Sequence, residues 1–109
     1  MISADEVERA VDYLRDSAPA DAQARANAIY LAEWTKSERA RLTVAQTGMS
    51  NAAARDIAES HPEYLRALGA YRSAVEEDCR RRFLREAATA KLECWRTAES
   101  TRRSLGALA

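Results

Sequence analysis

From Pro62 to Gly106 the chain contains no second proline, and Gly69 is the one glycine inside the stretch. Nothing else there would stop a helix, so residues 62–105 read as a single helix of about 66 Å at 1.5 Å per residue. Composition agrees. Ala, Glu, Lys, Leu and Arg make up 61 of 109 residues, with 24 Ala and 15 Arg, a bias typical of long helices and coiled coils. Leu, Ile, Val and Phe total 17, thin for a globular core. The charges nevertheless balance at 17 against 17, with two Pro and three Gly, unlike a disordered chain. These features exclude a β-sandwich, a nucleotide-binding α/β fold, a membrane span and a cysteine-stapled module.

Further upstream, Ser3 with Glu6 fits a capping box, and a helix over about 4–16 follows, with Val7, Ala10, Val11 and Leu14 on one face. Asp16 to Pro19 is expected to break it, because proline disfavours helix in the residue before it. A second helix over about 20–47 carries Ala24, Ala28, Leu31, Leu42 and Ala45 as its stripe, with Trp34 beside it and Gly48 as its stop. Ser50 caps a short helix over 51–59, with Ala54, Ile57 and Ala58 inward. Ser60 and Glu63 fit a second capping box at the start of the long helix.

That last helix shows two stripes: Tyr64, Leu68, Tyr71 and Val75, then Leu84, Ala88, Lys91, Trp95, Ala98, Arg102 and Leu105, with Leu92 alongside. They are out of register, and six charges lie between them within Glu76–Arg82, so a stutter is expected there. The fold class is all-α: a long antiparallel, coiled-coil-like hairpin with two shorter helices, in a single domain spanning 1–109. The second helix, at about 42 Å, cannot cover the longer one. Alanine-rich stripes also bury little area. A homodimer or an obligate partner is therefore expected.

The chemistry points away from catalysis. One histidine, His61, sits at a helix start, where it is expected as a residue of the capping turn. No Cys/His cluster of metal-ligand type and no glycine-rich phosphate loop is present, so no cofactor, metal or small-molecule substrate is expected. Cys79 and Cys94 are 15 residues apart on one expected helix, about 22 Å along its axis and beyond disulfide reach. They read as reduced thiols, with a bridge between two copies as the alternative. No leader or membrane segment is evident, and cytosol is the expected location.

Charge is unevenly placed. Residues 1–60 carry a net −3 and residues 61–109 a net +3; residues 79–103 hold eight basic side chains against three acidic. The plain reading is a solvated helix paired against the acidic front half. The sharper one is a docking surface for an acidic protein face, built from Arg80, Arg81, Arg82, Arg85, Arg96, Arg102 and Arg103 with Trp95 as anchor, since Trp and Arg dominate interface energetics. The same arginines could serve a nucleic-acid-binding accessory protein, although a net-neutral chain lacks the usual footprint. Leu42 to Asn51 looks like a helix-turn-helix corner, but 51–59 offers Arg55 as its one basic residue, poor equipment for phosphates and bases.

Several runs carry a family resemblance: His61-Pro62-Glu63-Tyr64, Leu68, Ala74-Val75, Ala87-Ala88, Lys91-Leu92-Glu93, Trp95-Arg96-Thr97, Ser100 and Arg102-Arg103. Together, over roughly residues 25–103, they resemble a group of small all-helical phage and prophage proteins with a PEY-type helix start and a WRT-type motif near the C-terminus. The resemblance implies a non-enzymatic accessory protein in a bacterial host cell. It would bind a protein of host or phage DNA metabolism or defence, as recombination adaptor or inhibitor. It supplies no catalytic residues and weakens the helix-turn-helix reading.

Overall fold

The computed structural model describes residues 2–108. The chain is all-α, a long antiparallel helical hairpin: α1 (Ala4–Val44), α2 (Asn51–Ser60) and α3 (Pro62–Leu108). Its contacts group into two compact units. One joins α1 through Asp21 to α3 from Arg80 onward; the other is Ala22–Cys79. No helix among the described residues is long and apolar enough to cross a membrane.

Start signals act largely as the sequence suggests. Ser3 Oγ accepts the Glu6 N–H at 3.2 Å, and Ser50 Oγ accepts the Ala53 N–H at 3.2 Å, each satisfying an orphan donor of a first turn. At α3 the cap is His61 rather than Ser60. His61 Nδ1 accepts the Glu63 N–H at 3.1 Å, while Ser60 Oγ donates back to Ile57 O at 3.0 Å. His61 thus closes α2 through its own N–H and opens α3 through its ring. Helix α1 ends at Val44, earlier than expected. Gly48 adopts φ +76°, a left-handed conformation that a side chain would strain.

In the Ala22–Cys79 unit, burial on α1 recurs at Ala24, Ala28, Leu31, Thr35, Glu38 and Leu42, and on α3 at Tyr64, Ala67, Tyr71, Ala74 and Asp78. Both series alternate steps of three and four, the spacing of a coiled-coil seam. Thr35 Oγ1 bonds Leu31 O at 2.7 Å and lies 3.3 Å from Ala67 O across the seam. Alanine at Ala28, Ala67 and Ala74 leaves room for that approach. Helix α2 buries Ala54 and Ala58, and Glu59 reaches Arg39 on α1 at 3.8 Å. Ile57, expected inward, is 42 % exposed.

In the other unit, Val7, Ala10, Leu14, Ser17 and Asp21 face Arg81, Arg85, Ala88, Leu92, Trp95 and Glu99 with the same alternation. Two expectations are corrected here. The break at Asp16–Pro19 is absent: α1 passes through Pro19, so the helices expected over 4–16 and 20–47 are one. Seam contacts bracket the proline, with Leu14 O accepting from Arg85 and Asp21 bound by Ser17, Arg81 and Arg85. Tertiary contacts override the local preference. The stutter is also absent. Burial along α3 passes Ala74, Asp78, Arg81, Arg85 and Ala88 without losing the three-four spacing. The apparent slip arose from reading Leu68 and Leu84 as seam residues; they are 40 % and 44 % exposed and flank it.

Pro19 is exposed and cannot donate a hydrogen bond to the Arg15 carbonyl. Pro19→Ala restores that bond. The helix gain of about 3 kcal/mol, less the greater freedom of the unfolded chain, leaves a net stabilisation of about 2 kcal/mol. The midpoint of thermal unfolding followed by circular dichroism should rise by roughly 10 °C; a fall would refute this account of the helix passing through Pro19. Leu42→Ala should act oppositely. It truncates the largest apolar side chain among the buried described residues, at 5 % exposure, and should cost about 2–5 kcal/mol.

Candidate partner-binding surface

The arginine-rich segment divides according to the heptad positions of its residues. Arg81 and Arg85 fall on the seam and turn inward. Arg81 Nη1 lies 3.3 Å from Asp21 Oδ1, and Arg85 Nη1 lies 3.0 Å from Asp21 Oδ2 and 3.4 Å from Leu14 O. Ser17 Oγ donates to Asp21 Oδ2 at 3.1 Å. The Asp21 side chain is 14 % exposed. Burial opposes its charge, but hydrogen bonds from Ser17, Arg81 and Arg85 outweigh that and hold the carboxyl below its ordinary pKa. Arg81 and Arg85, expected to face a partner, instead hold the hairpin together, because the acidic α1 supplies their counter-charge at seam height. Arg80 and Arg82 face outward, and both are engaged within the chain.

Beyond Ala88 the surface changes character. Trp95 sits on the seam, half-buried. Arg96 lies 3.7 Å from Glu93, and Arg102 lies 2.6 Å from Glu99, each three residues back on the same helix. These side chains are 70 % and 74 % exposed, so the pairs are weak and salt-sensitive. Every residue from Ser100 to Leu108 is exposed, with Leu105 at 64 % and Leu108 at 84 %. Ala98, Glu99, Thr101, Arg102 and Leu105 line a shallow groove along this end. Of the expected surface, Arg96, Arg102 and Arg103 are exposed and Trp95 is half-buried on the seam beside them.

Two further features lie in the Ala22–Cys79 unit. Glu38 is on the seam at 12 % side-chain exposure, held by Arg41 Nη2 at 2.9 Å. Arg41 also pairs with Glu63. The hydrogen bond from Arg41 outweighs burial and lowers the Glu38 pKa, and the two carboxylates raise that of Arg41. Trp34, placed beside the stripe in the sequence, is 46 % exposed, and Tyr30 is 62 % exposed. An open groove of about 460 Å³ beside Trp34 is lined by Leu31, Glu38, Glu63, Arg66, Ala67 and Ala70. The three-four count through Ala28, Leu31, Thr35 and Glu38 keeps Trp34 beside the seam, where the sequence placed it.

Among the described residues no group of three or more His, Cys, Asp and Glu is arranged to hold a metal ion. Cys79 is half-buried, Cys94 is exposed, and both are free thiols. Compared with protein-family models, with curated proteins and with solved structures, the chain matches none.

The division of the arginines can be tested through stability. Asp21→Asn removes the charge that Arg81 and Arg85 share and should cost about 1–3 kcal/mol at neutral pH in urea unfolding; Arg96→Ala and Arg103→Ala should leave the midpoint unchanged. The lowered pKa of Asp21 also sets a pH dependence. Its contribution is complete above the ordinary carboxylate value of about 4 and fades as pH falls through the folded value. Glu38 acts with the same sign. Stability should therefore drop in acid, less steeply in Asp21→Asn than in wild type. Parallel pH profiles would show that Asp21 is not part of the interaction.

Proposed function

We propose that the chain is a non-enzymatic protein-binding module that works as a homodimer, its α3 end docking on an acidic surface of another protein. One observation carries this reading: the distribution of side-chain size is inverted. Among the described residues, seven of the eight buried apolar residues are alanines, no large side chain is fully buried, and Ile29, Tyr30, Trp34, Phe83, Leu84 and Leu105 are 44–66 % exposed.

At the α3 end, Arg96, Arg102 and Arg103 present guanidinium groups suited to carboxylates, next to exposed Leu105. The resemblance to small phage and prophage helical proteins fits an accessory role, adaptor or inhibitor, toward a protein of DNA metabolism or defence in a bacterial cell. Nucleic acid is the weaker alternative, because Asp21 already engages Arg81 and Arg85.

Arg103→Glu with Leu105→Glu alters exposed positions and should leave helicity unchanged, yet abolish capture of a partner protein that wild type retains. Trp95→Ala with Arg96→Ala should reduce capture as well. Equal recovery by wild type and both variants would remove the α3 end as the site. Fluorescence anisotropy with single- and double-stranded DNA tests the alternative. Sub-micromolar binding that weakens steeply with salt, as counterion release requires, would overturn the protein-binding reading.

A further inference from the structure

We propose that the last turns of α3 receive a single amphipathic helix of another protein, acidic on its flanks, seated in line with α1 and antiparallel to α3. This names the partner's chemistry in the docking reading above, on which it rests.

The site follows from where α1 starts. Ala10 of α1 and Ala88 of α3 line the same groove and stand at one level. Counting equally in both directions from there, Ala4 falls opposite about Cys94. Helix α1 begins at Ala4, with Ser3 Oγ capping its first turn. Helix α3 continues to Leu108, about 20 Å farther. From Ser100 onward every residue of this stretch is exposed.

The face that α1 covers does not end with α1. Burial on α3 runs through Ala88, Leu92, Trp95 and Glu99, and the same three-four count continues to Arg102 and Gly106. Ala98, Glu99, Thr101, Arg102 and Leu105 line the shallow groove here, so the groove lies on the seam face. Trp95 and Leu105 bracket it, with the small side chains of Ala98 and Thr101 between them. Nearer the middle of this unit the occupant of the same face is a helix, α1, running antiparallel. A second helix in line with α1 meets the same succession of knobs and holes. Antiparallel orientation also brings its C-terminal end toward the N-terminus of α1, partial negative charge against partial positive.

Charge selects which helix. Residues 100–108 carry Arg102 and Arg103 and no acid. Arg102 is held by Glu99 and Arg96 by Glu93, both on α3 itself, and the two arginine side chains are 74 % and 70 % exposed. Within the hairpin, seam arginines meet a carboxylate on the opposite helix, as Arg81 and Arg85 meet Asp21. A carboxylate on the docking helix at the height of Arg102 and Arg103 repeats that arrangement, with an apolar stripe against Trp95 and Leu105.

Fluorescence anisotropy of a labelled peptide titrated with the full chain provides the test. The probe is a designed helix of about 18 residues, long enough to cover the exposed stretch, with leucine and alanine at three-four spacing and glutamate on both flanks. It should bind with micromolar affinity that weakens with salt. A peptide of the same composition with its stripe scrambled, and one with lysine for glutamate, should each bind about 10-fold more weakly or worse. Arg103→Glu with Leu105→Glu should abolish binding at unchanged helicity, and Phe83→Glu, at an exposed position off this face, should bind as wild type does. Hydrogen exchange at the amides of Thr101 to Gly106 should slow on binding. Equal binding of the striped and scrambled acidic peptides would overturn the proposal, since charge alone would then suffice. So would failure of the striped peptide at millimolar concentration, its displacement by an equal concentration of double-stranded DNA, or a dimer in sedimentation that Arg103→Glu with Leu105→Glu dissolves. If the peptide fails while partner capture still depends on Arg103 and Leu105, the helical occupant falls and the docking function stands. If capture is indifferent to them as well, both fall.

Discussion

Alanine at the helix–helix seam is the constraint from which the other features of the molecule follow. A methyl group lets two helix backbones come close, and Ala10, Ala28, Ala67, Ala74 and Ala88 are each less than 9 % exposed. Close approach lets a threonine hydroxyl reach a carbonyl on the opposite helix, as Thr35 does at Ala67. It also limits what each layer of the seam can contribute. Hydrophobic stabilisation scales with apolar area, and a methyl offers little. A hairpin of this kind gains stability through repetition over many turns and through polar contacts at chosen heights. Several of its large side chains, Ile29, Tyr30, Trp34 and Phe83 among them, stand exposed beside the seam.

The polar seam residues supply what alanine lacks, a unique alignment. A row of alanines tolerates sliding, because one layer resembles the next. Asp21 facing Arg81 and Arg85 does not, since a slip of one heptad would leave three partly buried charges without partners. Buried ion pairs are often no more stabilising than apolar residues of similar volume, and fixing register is their best-attested use. Glu38 with Arg41 and Glu63 does the same work near the short helix, where the chain reverses. The two clusters lie in different units, so each unit has its own register lock.

Much of this was legible from local chemistry. The extent of the long helix and the caps at Ser3 and Ser50 depend on residues within one turn of each other. Pairing of the basic segment with the acidic front half followed from charge asymmetry. What escaped notice required knowing the opposite helix. Pro19 reads as a break until Leu14, Ser17 and Asp21 are seen to be held from α3. Leu68 and Leu84 read as core because leucine is usually core, and that choice produced a stutter where the seam continues through Asp78, Arg81 and Arg85. Charged seam residues defeat a hydrophobicity count. They are detectable only when the three-four spacing is followed without regard to residue type.

The same reasoning bears on the exposed α3 end. A face that meets its own copy must tolerate every one of its charges facing a duplicate across a symmetry axis. The α3 end does not: Arg96, Arg102 and Arg103 stand together around Leu105, and a copy brought against them in like orientation would set arginine beside arginine. Such a cluster favours a counter-charged surface, which the repeated acids of a different protein can provide.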